Sequence, residues 1–420
     1  MADLHLKIRN TPDQEVDNAV LIGRGVSQLM PEHGLVELMN SRRIRLYLGI
    51  DPTSPLLHIG HMVPLMKLKQ FQMAGHEVIL LLGTFTGMIG DPTDKSASRV
   101  QLTPEQIQEN VATYVEQAGT ILDLSDNAEN PIRIVRNDEW LAPITLAEFL
   151  EIAAAVKVKD LIERKSFQER LRGNGSPLFA HEILYPILQG QDAVALDVDL
   201  EVGGQDQVMN MLIGRDMQMA RGREKWVLGM SLIEDPSGAK MGKTTGNVVN
   251  LIERPEVIFE ALMLWPDTTI GLGLELLTLV EQSLIDEVAK HVESQLGLHP
   301  FADDSLKRAF AWRVVCDLKG HEAADAAEEE FLSVMRDKNL PSNISTVTVG
   351  STDMLTEVLV EVGLFSEVHE AEMALAQGAI FVNGRKQRSN VQMGILSDSE
   401  FLLSIGKKTI KNIRRVVIAQ

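Results

Sequence analysis

RIRLYLGIDPTSPLLHIGHMVPLMKL, residues 43–68, joins an apolar run of strand character (43–50) to an amphipathic run of helical character (62–75) through a short turn. Pro52 ends the strand, and Gly60 lets the backbone approach a ligand closely. His58 and His61 stand three apart at the helix start, where unsatisfied N–H groups and a partial positive charge favour an anion. Metal binding would need a third protein ligand, and no HExxH pattern occurs. Two readings stay open on these residues alone: a phosphate contact, or histidines that merely satisfy their own helix.

Strand-like and helical segments go on alternating outward from this turn. EVILLLGT (77–84), IRIVRN (132–137), AVALDVDLEV (193–202) and KWVLGM (225–230) read as further strands. TPEQIQENVATYVEQAGTIL (103–122) reads as a helix opened by Thr103. Such alternation predicts a doubly wound, Rossmann-like α/β domain with a parallel sheet over 1–248, its ligands at the carboxyl ends of the strands. Strand signals stop near residue 250. A helical domain is expected over 249–340, a turn-rich linker over 341–353 and a small α+β domain over 354–420, whose IFVNGRKQ has the Asn-Gly of a hairpin turn.

Composition narrows the class. The 420 residues are 45% hydrophobic and 24% charged, as in an ordinary globular protein, and no apolar run is long enough to span a bilayer. A single cysteine, Cys316, excludes an internal disulfide or a multi-cysteine zinc site and fits a reducing cytoplasm. The net charge of −19 opposes indiscriminate binding to nucleic acid. Residues 384–420 nevertheless hold eight basic and two acidic side chains, which suggests a local polyanion contact through Arg385, Lys386 and Arg388.

HIGH (58–61) resembles the first signature of class I aminoacyl-tRNA synthetases, and KMGKT (240–244), within PSGAKMGKTTGN, resembles the second, the KMSKS loop. Two lysines among Gly238, Gly242 and Gly246 suit a cationic loop that closes over a triphosphate. YLGIDPT (47–53), TGMIGDPTDKSASR (86–99), YPILQGQD (185–192) and GGQDQ (203–207) together resemble the tyrosyl-tRNA synthetase family along essentially the whole chain.

That resemblance implies tyrosine and ATP as substrates, Mg²⁺ as the companion of ATP, tRNA(Tyr) as partner and a homodimeric, cytoplasmic enzyme. It implies that Tyr47 and Asp192 meet the phenolic hydroxyl, and that Asp91, Tyr185 and Gln189 meet the ammonium group. Asp206 is implied to hold the ribose, with Gly203 and Gly204 allowing close approach, while Gly60, His58, His61 and Thr53 face the phosphates. Lys240, Lys243, Lys95 and Arg99 match the positions that hold pyrophosphate. No protein ligands for a resident metal are implied. AEMALAQGAIFVNGRKQ resembles part of an S4-type RNA-binding domain.

Some positions depart from the family pattern. Gly242 and Thr244 replace serines of the loop, and Leu48 and Glu201 stand where many relatives have Cys and Gln. The tryptophanyl family shares both signatures, but Tyr47, Gln189 and the double glycine favour tyrosine. A non-catalytic paralogue would be expected to lose a signature, and a metabolite adenylyltransferase would have no use for the C-terminal segment.

Overall fold

The computed structural model describes residues 4–12, 17–91, 102–125, 127–173, 176–233, 249–294, 304–336, 346–365, 367–382, 385–395, 400–405 and 413–418. By internal contacts the chain divides into two units, 1–253 with 265–318 and 254–264 with 319–420. The helical stretch expected as a domain of its own is thus shared between them.

The first unit is organised by six strands: β1 (Val26–Met30), β2 (Arg45–Ile50), β3 (Glu77–Leu82), β4 (Arg133–Arg136), β5 (Leu200–Gly204) and β6 (Trp226–Met230). Their order is β1-β6-β5-β2-β3-β4. All neighbours are parallel except β1 and β6, which are antiparallel. The Rossmann-like sheet is as expected, with one addition: β1 was not read as a strand. Its VSQLM is short, and Ser27 and Gln28 are exposed at the sheet edge, so it lacks the apolar run of the inner strands. From β2 the chain moves outward to β3 and β4, then returns to β5 on the other side. β2 and β5 therefore flank the switch point where such sheets bind ligands.

A second correction concerns 193–202. The helix Ala180–Leu196 runs through Ala193, Val194 and Leu196 and stops at Asp197, which takes a left-handed φ of 49°; the strand begins only at Leu200. Buried Tyr185, Leu188, Asp192 and Leu196 recur at helical spacing, and this period overrides the local β-branched signal. The helix lies close to its neighbour Val208–Met219: a Cβ on Gly190 would sit 3.3 Å from Gly214 Cα and 2.5 Å from Met217 Sδ. This close crossing brings the polar face of Ala180–Leu196 down to the sheet.

In the second unit the helices Pro255–Met263 and His321–Arg336 pack through Phe259 and Phe331, ring centroids 5.4 Å apart. Beyond them a sheet is built from β7 (Thr346–Val349), β8 (Ile380–Val382), β9 (Arg385–Gln387), β10 (Glu400–Ile405) and β11 (Ile413–Ile418), in the order β7-β11-β10-β8-β9. β7 lies inside the segment read as linker; its Thr-Val-Thr-Val pairs in parallel with β11. β8 and β9 form the expected antiparallel hairpin, whose turn residues 383–384 lie outside the described residues. Helices Leu355–Glu361 and Val368–Gln377 cover this sheet, and Leu355, Val358, Leu359, Leu375, Ile380, Leu403 and Val416 form its core. No single described helix is long and apolar enough to cross a membrane.

Candidate active site

His58 is the N-cap of the helix Ile59–Met73. Its Nδ1 accepts the Gly60 backbone N–H at 3.1 Å, while His61 Nδ1 accepts the His58 backbone N–H at 3.1 Å. The two rings lie with centroids 3.9 Å apart. With Nδ1 an acceptor, each ring when neutral carries its proton on Nε2, at the opposite edge. Capping and anion contact, read from the sequence as alternatives, are thus compatible uses of opposite ring edges. Gly60 is helical rather than part of a turn, and its N–H is engaged by His58. Thr53 is half-buried and donates its backbone N–H to the Asp51 carbonyl at 2.8 Å. The strand-like bridge of His58 with Asn250, and the Ile59 N–H bond to the Val249 carbonyl, fasten the helix start.

Tyr47, on β2, is fully buried, and among the described residues its hydroxyl makes no well-formed hydrogen bond, though the Glu201 carboxylate stands close enough to act on it. Burial, and then the carboxylates of Glu201 and Asp192, push its ionisation well above the usual phenol value. Asp192 is also buried; its two oxygens accept Asn137 Nδ2 at 3.1 Å and Trp140 Nε1 at 2.8 Å. Burial raises its carboxyl well above the ordinary range, although both neutral donors oppose that rise.

A chain of hydrogen bonds runs on from Asp192. Asn137 Nδ2 also donates to Thr86 Oγ1 (2.9 Å), Thr86 Oγ1 to Asp51 Oδ1 (2.7 Å), and Tyr185 OH to Asp51 Oδ2 (2.8 Å). Glycine at 83 makes room for it: a Cβ there would fall 1.9 Å from Asp51 Oδ1. Tyr185, Gln189 and Asp192 share one face of the helix Ala180–Leu196, as their i, i+4, i+7 spacing requires. Gln189 donates Nε2 to Glu201 Oε1 at 2.9 Å.

Asp91 accepts the side-chain amide of Gln207, whose oxygen accepts Asn210 Nδ2 at 3.0 Å. Arg164, nearly buried, bonds Asn210 and stacks its guanidinium 5.5 Å from the Phe167 ring centroid. Burial lowers the pKa of Arg164 against the opposing pull of Asp91, Tyr185 and Asp206. Asp206 occupies the 3-10 turn Gln205–Gln207, and Gly204 leaves the space it needs, since a Cβ there would lie 2.5 Å from Asp206 Oδ1.

Tyr47, Asp192, Tyr185 and Gln189 are therefore brought together around β2 and β5, with Asp91 and Asp206 gathered about Arg164. Lys95, Arg99, Lys240 and Lys243 lie outside the described residues. Asp51, Thr86, Asn137, Trp140, Arg164 and Lys225 were not anticipated. Asp51 stands inside the quoted YLGIDPT and Thr86 opens the quoted TGMIGDPTDKSASR; the others stand outside the runs that carry the resemblance. In the second unit Lys386 and Arg388 are exposed and converge on Gly378, where a Cβ would lie 3.0 Å from Arg388 Nε and 3.3 Å from Lys386 Nζ.

Residues 39–335 match the family model described as tRNA synthetases class I (W and Y). A tyrosine–tRNA ligase of Carboxydothermus hydrogenoformans is 38% identical over 401 residues, covering 92% of this chain and 93% of that one. This chain belongs to that family. Another member, the tyrosine–tRNA ligase of Thermotoga maritima, is 34% identical over 406 residues, 96% of this chain and 98% of that one. Solved structures share the class I synthetase fold. A truncated mitochondrial tyrosyl-tRNA synthetase of Coccidioides posadasii gives a TM-score of 0.62 at 21% identity, over 75% of this chain and 92% of its own. The Archaeoglobus fulgidus tyrosyl-tRNA synthetase complexed with L-tyrosine gives 0.57 at 22% identity, over 77% and 99%.

Proposed function

We infer that the chain is a tyrosine–tRNA ligase: it converts L-tyrosine and ATP to tyrosyl-adenylate and pyrophosphate, then transfers the tyrosyl group to the terminal adenosine of tRNA(Tyr). The observation that carries this reading is the Tyr47 hydroxyl, buried near Asp192 with no well-formed hydrogen bond among the described residues. A phenol supplies the missing partner, and a substrate without a hydroxyl leaves those buried groups unsatisfied. Tyrosine against phenylalanine is itself the standard illustration of this kind of discrimination.

Tyr47 and Asp192 then hold the phenol, and Asp91, Tyr185 and Gln189 the ammonium group. Asp206, with Gly203 and Gly204, takes the ribose. Gly60, His58, His61 and Thr53 face the phosphates, and Lys240, Lys243, Lys95 and Arg99 hold the departing pyrophosphate. The tyrosine carboxylate attacks the α-phosphorus, and the bond to the bridging oxygen of the β-phosphate breaks. A ribose hydroxyl of the tRNA next attacks the carbonyl carbon and AMP leaves. No protein nucleophile is needed, so these residues act by positioning and by neutralising charge on the phosphates. Mg²⁺ accompanying ATP would add to that neutralisation. Among the described residues there is no group of three His, Cys, Asp or Glu side chains able to hold a metal on its own.

Arg385, Lys386 and Arg388 are assigned to the RNA backbone in an S4-type C-terminal domain whose sheet takes in β7 and so begins before residue 354. A second copy of the chain is a further partner. Leu146 and Leu150, four apart on the helix Leu146–Ala154, are 74% and 61% exposed, an apolar stripe suited to burial in a dimer. The cytoplasm is the compartment where its substrates occur together. ATP–pyrophosphate exchange across tyrosine, tryptophan and phenylalanine tests the assignment: exchange is expected with tyrosine, and stimulation by tryptophan in its place would overturn it.

A further inference from the structure

Glu201 and Lys225 form an ion pair in the interior beside Tyr47, one 2% exposed and the other fully buried. Lys225 Nζ also donates to the Met211 carbonyl at 3.2 Å, and glycine at 214 leaves room for it, since a Cβ there would lie 2.7 Å from Nζ. Glu201 is the register partner of Tyr47 across β2 and β5, and Lys225 Nζ lies 5.9 Å from the Tyr47 ring centroid. Desolvating two charges is expensive, and a neutral filling of equal volume stabilises a fold at least as well. Stability alone is thus a poor reason for this pair.

Direction is a better one. A carboxylate paired with an ammonium is an acceptor only, so the Gln189 amide must present Nε2 to Glu201; turned over, its carbonyl would face another acceptor. That leaves Gln189 Oε1 buried without a hydrogen-bond partner among the described residues. A lone acceptor in the interior is costly unless something arrives to use it.

We propose that Glu201 and Lys225 are positioning residues for the amino acid: their ion pair holds the Gln189 amide with its carbonyl oxygen turned to the ammonium group of the substrate. The proposal rests on the reading of Gln189 as an ammonium ligand. Lys225 neutralises Glu201 so that the carboxylate orients the amide without drawing the substrate's cation to itself. A glutamine at 201 could donate or accept and would impose no direction.

The test is a cycle of Gln189→Ala, the charge-free pair Glu201→Gln with Lys225→Gln, and all three together. KM values for tyrosine and ATP are read by pyrophosphate exchange on folded protein. Gln189→Ala and the charge-free pair are each expected to raise the tyrosine KM about tenfold, with the ATP KM moving less than about threefold. The triple variant should be no worse than Gln189→Ala within about twofold, because the pair acts only through Gln189. A triple variant carrying the product of both effects, or a charge-free pair with unchanged tyrosine KM, overturns the positioning role while leaving Gln189 in its place. A silent Gln189→Ala overturns the ammonium assignment itself and this proposal with it. If the charge-free pair does not fold, Glu201→Gln alone, nearly isosteric, takes its place in the same cycle.

Discussion

Asp192 and Asp199 stand seven residues apart, each about 2% exposed, and their carboxyls are driven in opposite directions. Burial raises Asp192 well above the usual range, and the donors hydrogen-bonded to it among the described residues, Asn137 and Trp140, are neutral. Burial also works to raise Asp199, but hydrogen bonds from Arg42 and from the Arg45 backbone N–H, with the charges of Arg42 and Arg223, pull it below the ordinary value. Asp199 is neutralised within the fold and has little left to offer a ligand. Asp192 keeps an uncompensated demand, and the difference fits the proposal that Asp192, and not Asp199, serves a substrate.

The most severe challenge to that contrast is Asp192→Ala. It removes the proposed phenol contact and orphans two buried donors, so tyrosine kcat/KM should fall on the order of 10³-fold. The same change at Asp199 should alter it by less than about threefold in folded protein. Equal losses at both sites in the exchange assay would erase the distinction. His61→Ala, next in size, separates the phosphate end of the site from the amino-acid end: adenylate formation should slow about 10²-fold, as for the loss of one transition-state donor. Tyrosine binding by equilibrium dialysis should hardly move, and parallel losses would contradict the division. Tyr47→Phe should then narrow the tyrosine-over-phenylalanine preference about tenfold, for one buried hydrogen bond.

The smallest effect lies at Asp199. A depressed carboxyl stabilises the fold above its unfolded value, near 3.8, and that contribution disappears as the pH falls through the folded value. Arg42→Ala weakens it, so acid unfolding followed by circular dichroism should begin at a higher pH than in the wild type. Arg42 is 43% exposed, and the loss at neutral pH should stay under about 1 kcal/mol. An unchanged acid midpoint would mean that Arg42 does not hold Asp199 down.

The reach of the sequence followed the same divide between local and assembled features. Tyr47, Tyr185, Gln189 and Asp192 stand in recognisable runs, and the alternation that places β2, β3 and β5 is a local pattern. Asn137 and Lys225 stand at the ends of runs legible only as strands, and Trp140 in none; they reach Asp192 and Glu201 only through the assembled fold, which no window of sequence displays. Glu201 was seen only as a departure, since its meaning depends on a lysine 24 residues onward and on the pairing of β5 with β6. AVALDV looked like strand because β-branched residues outweighed, over six positions, a helical period visible only over seventeen. β1 was hidden by the polar residues that an edge strand carries.

The capping arrangement of His58 and His61 ties two time scales together. The ring nitrogens that close the first turn of the helix Ile59–Met73 belong to the same side chains assigned to the phosphates, so a frayed turn and a competent site are mutually exclusive. Amide exchange at His58 and Gly60 then becomes a clock for the loss of competence. Bound nucleotide should slow it by whatever factor the phosphates favour the closed turn over the open one.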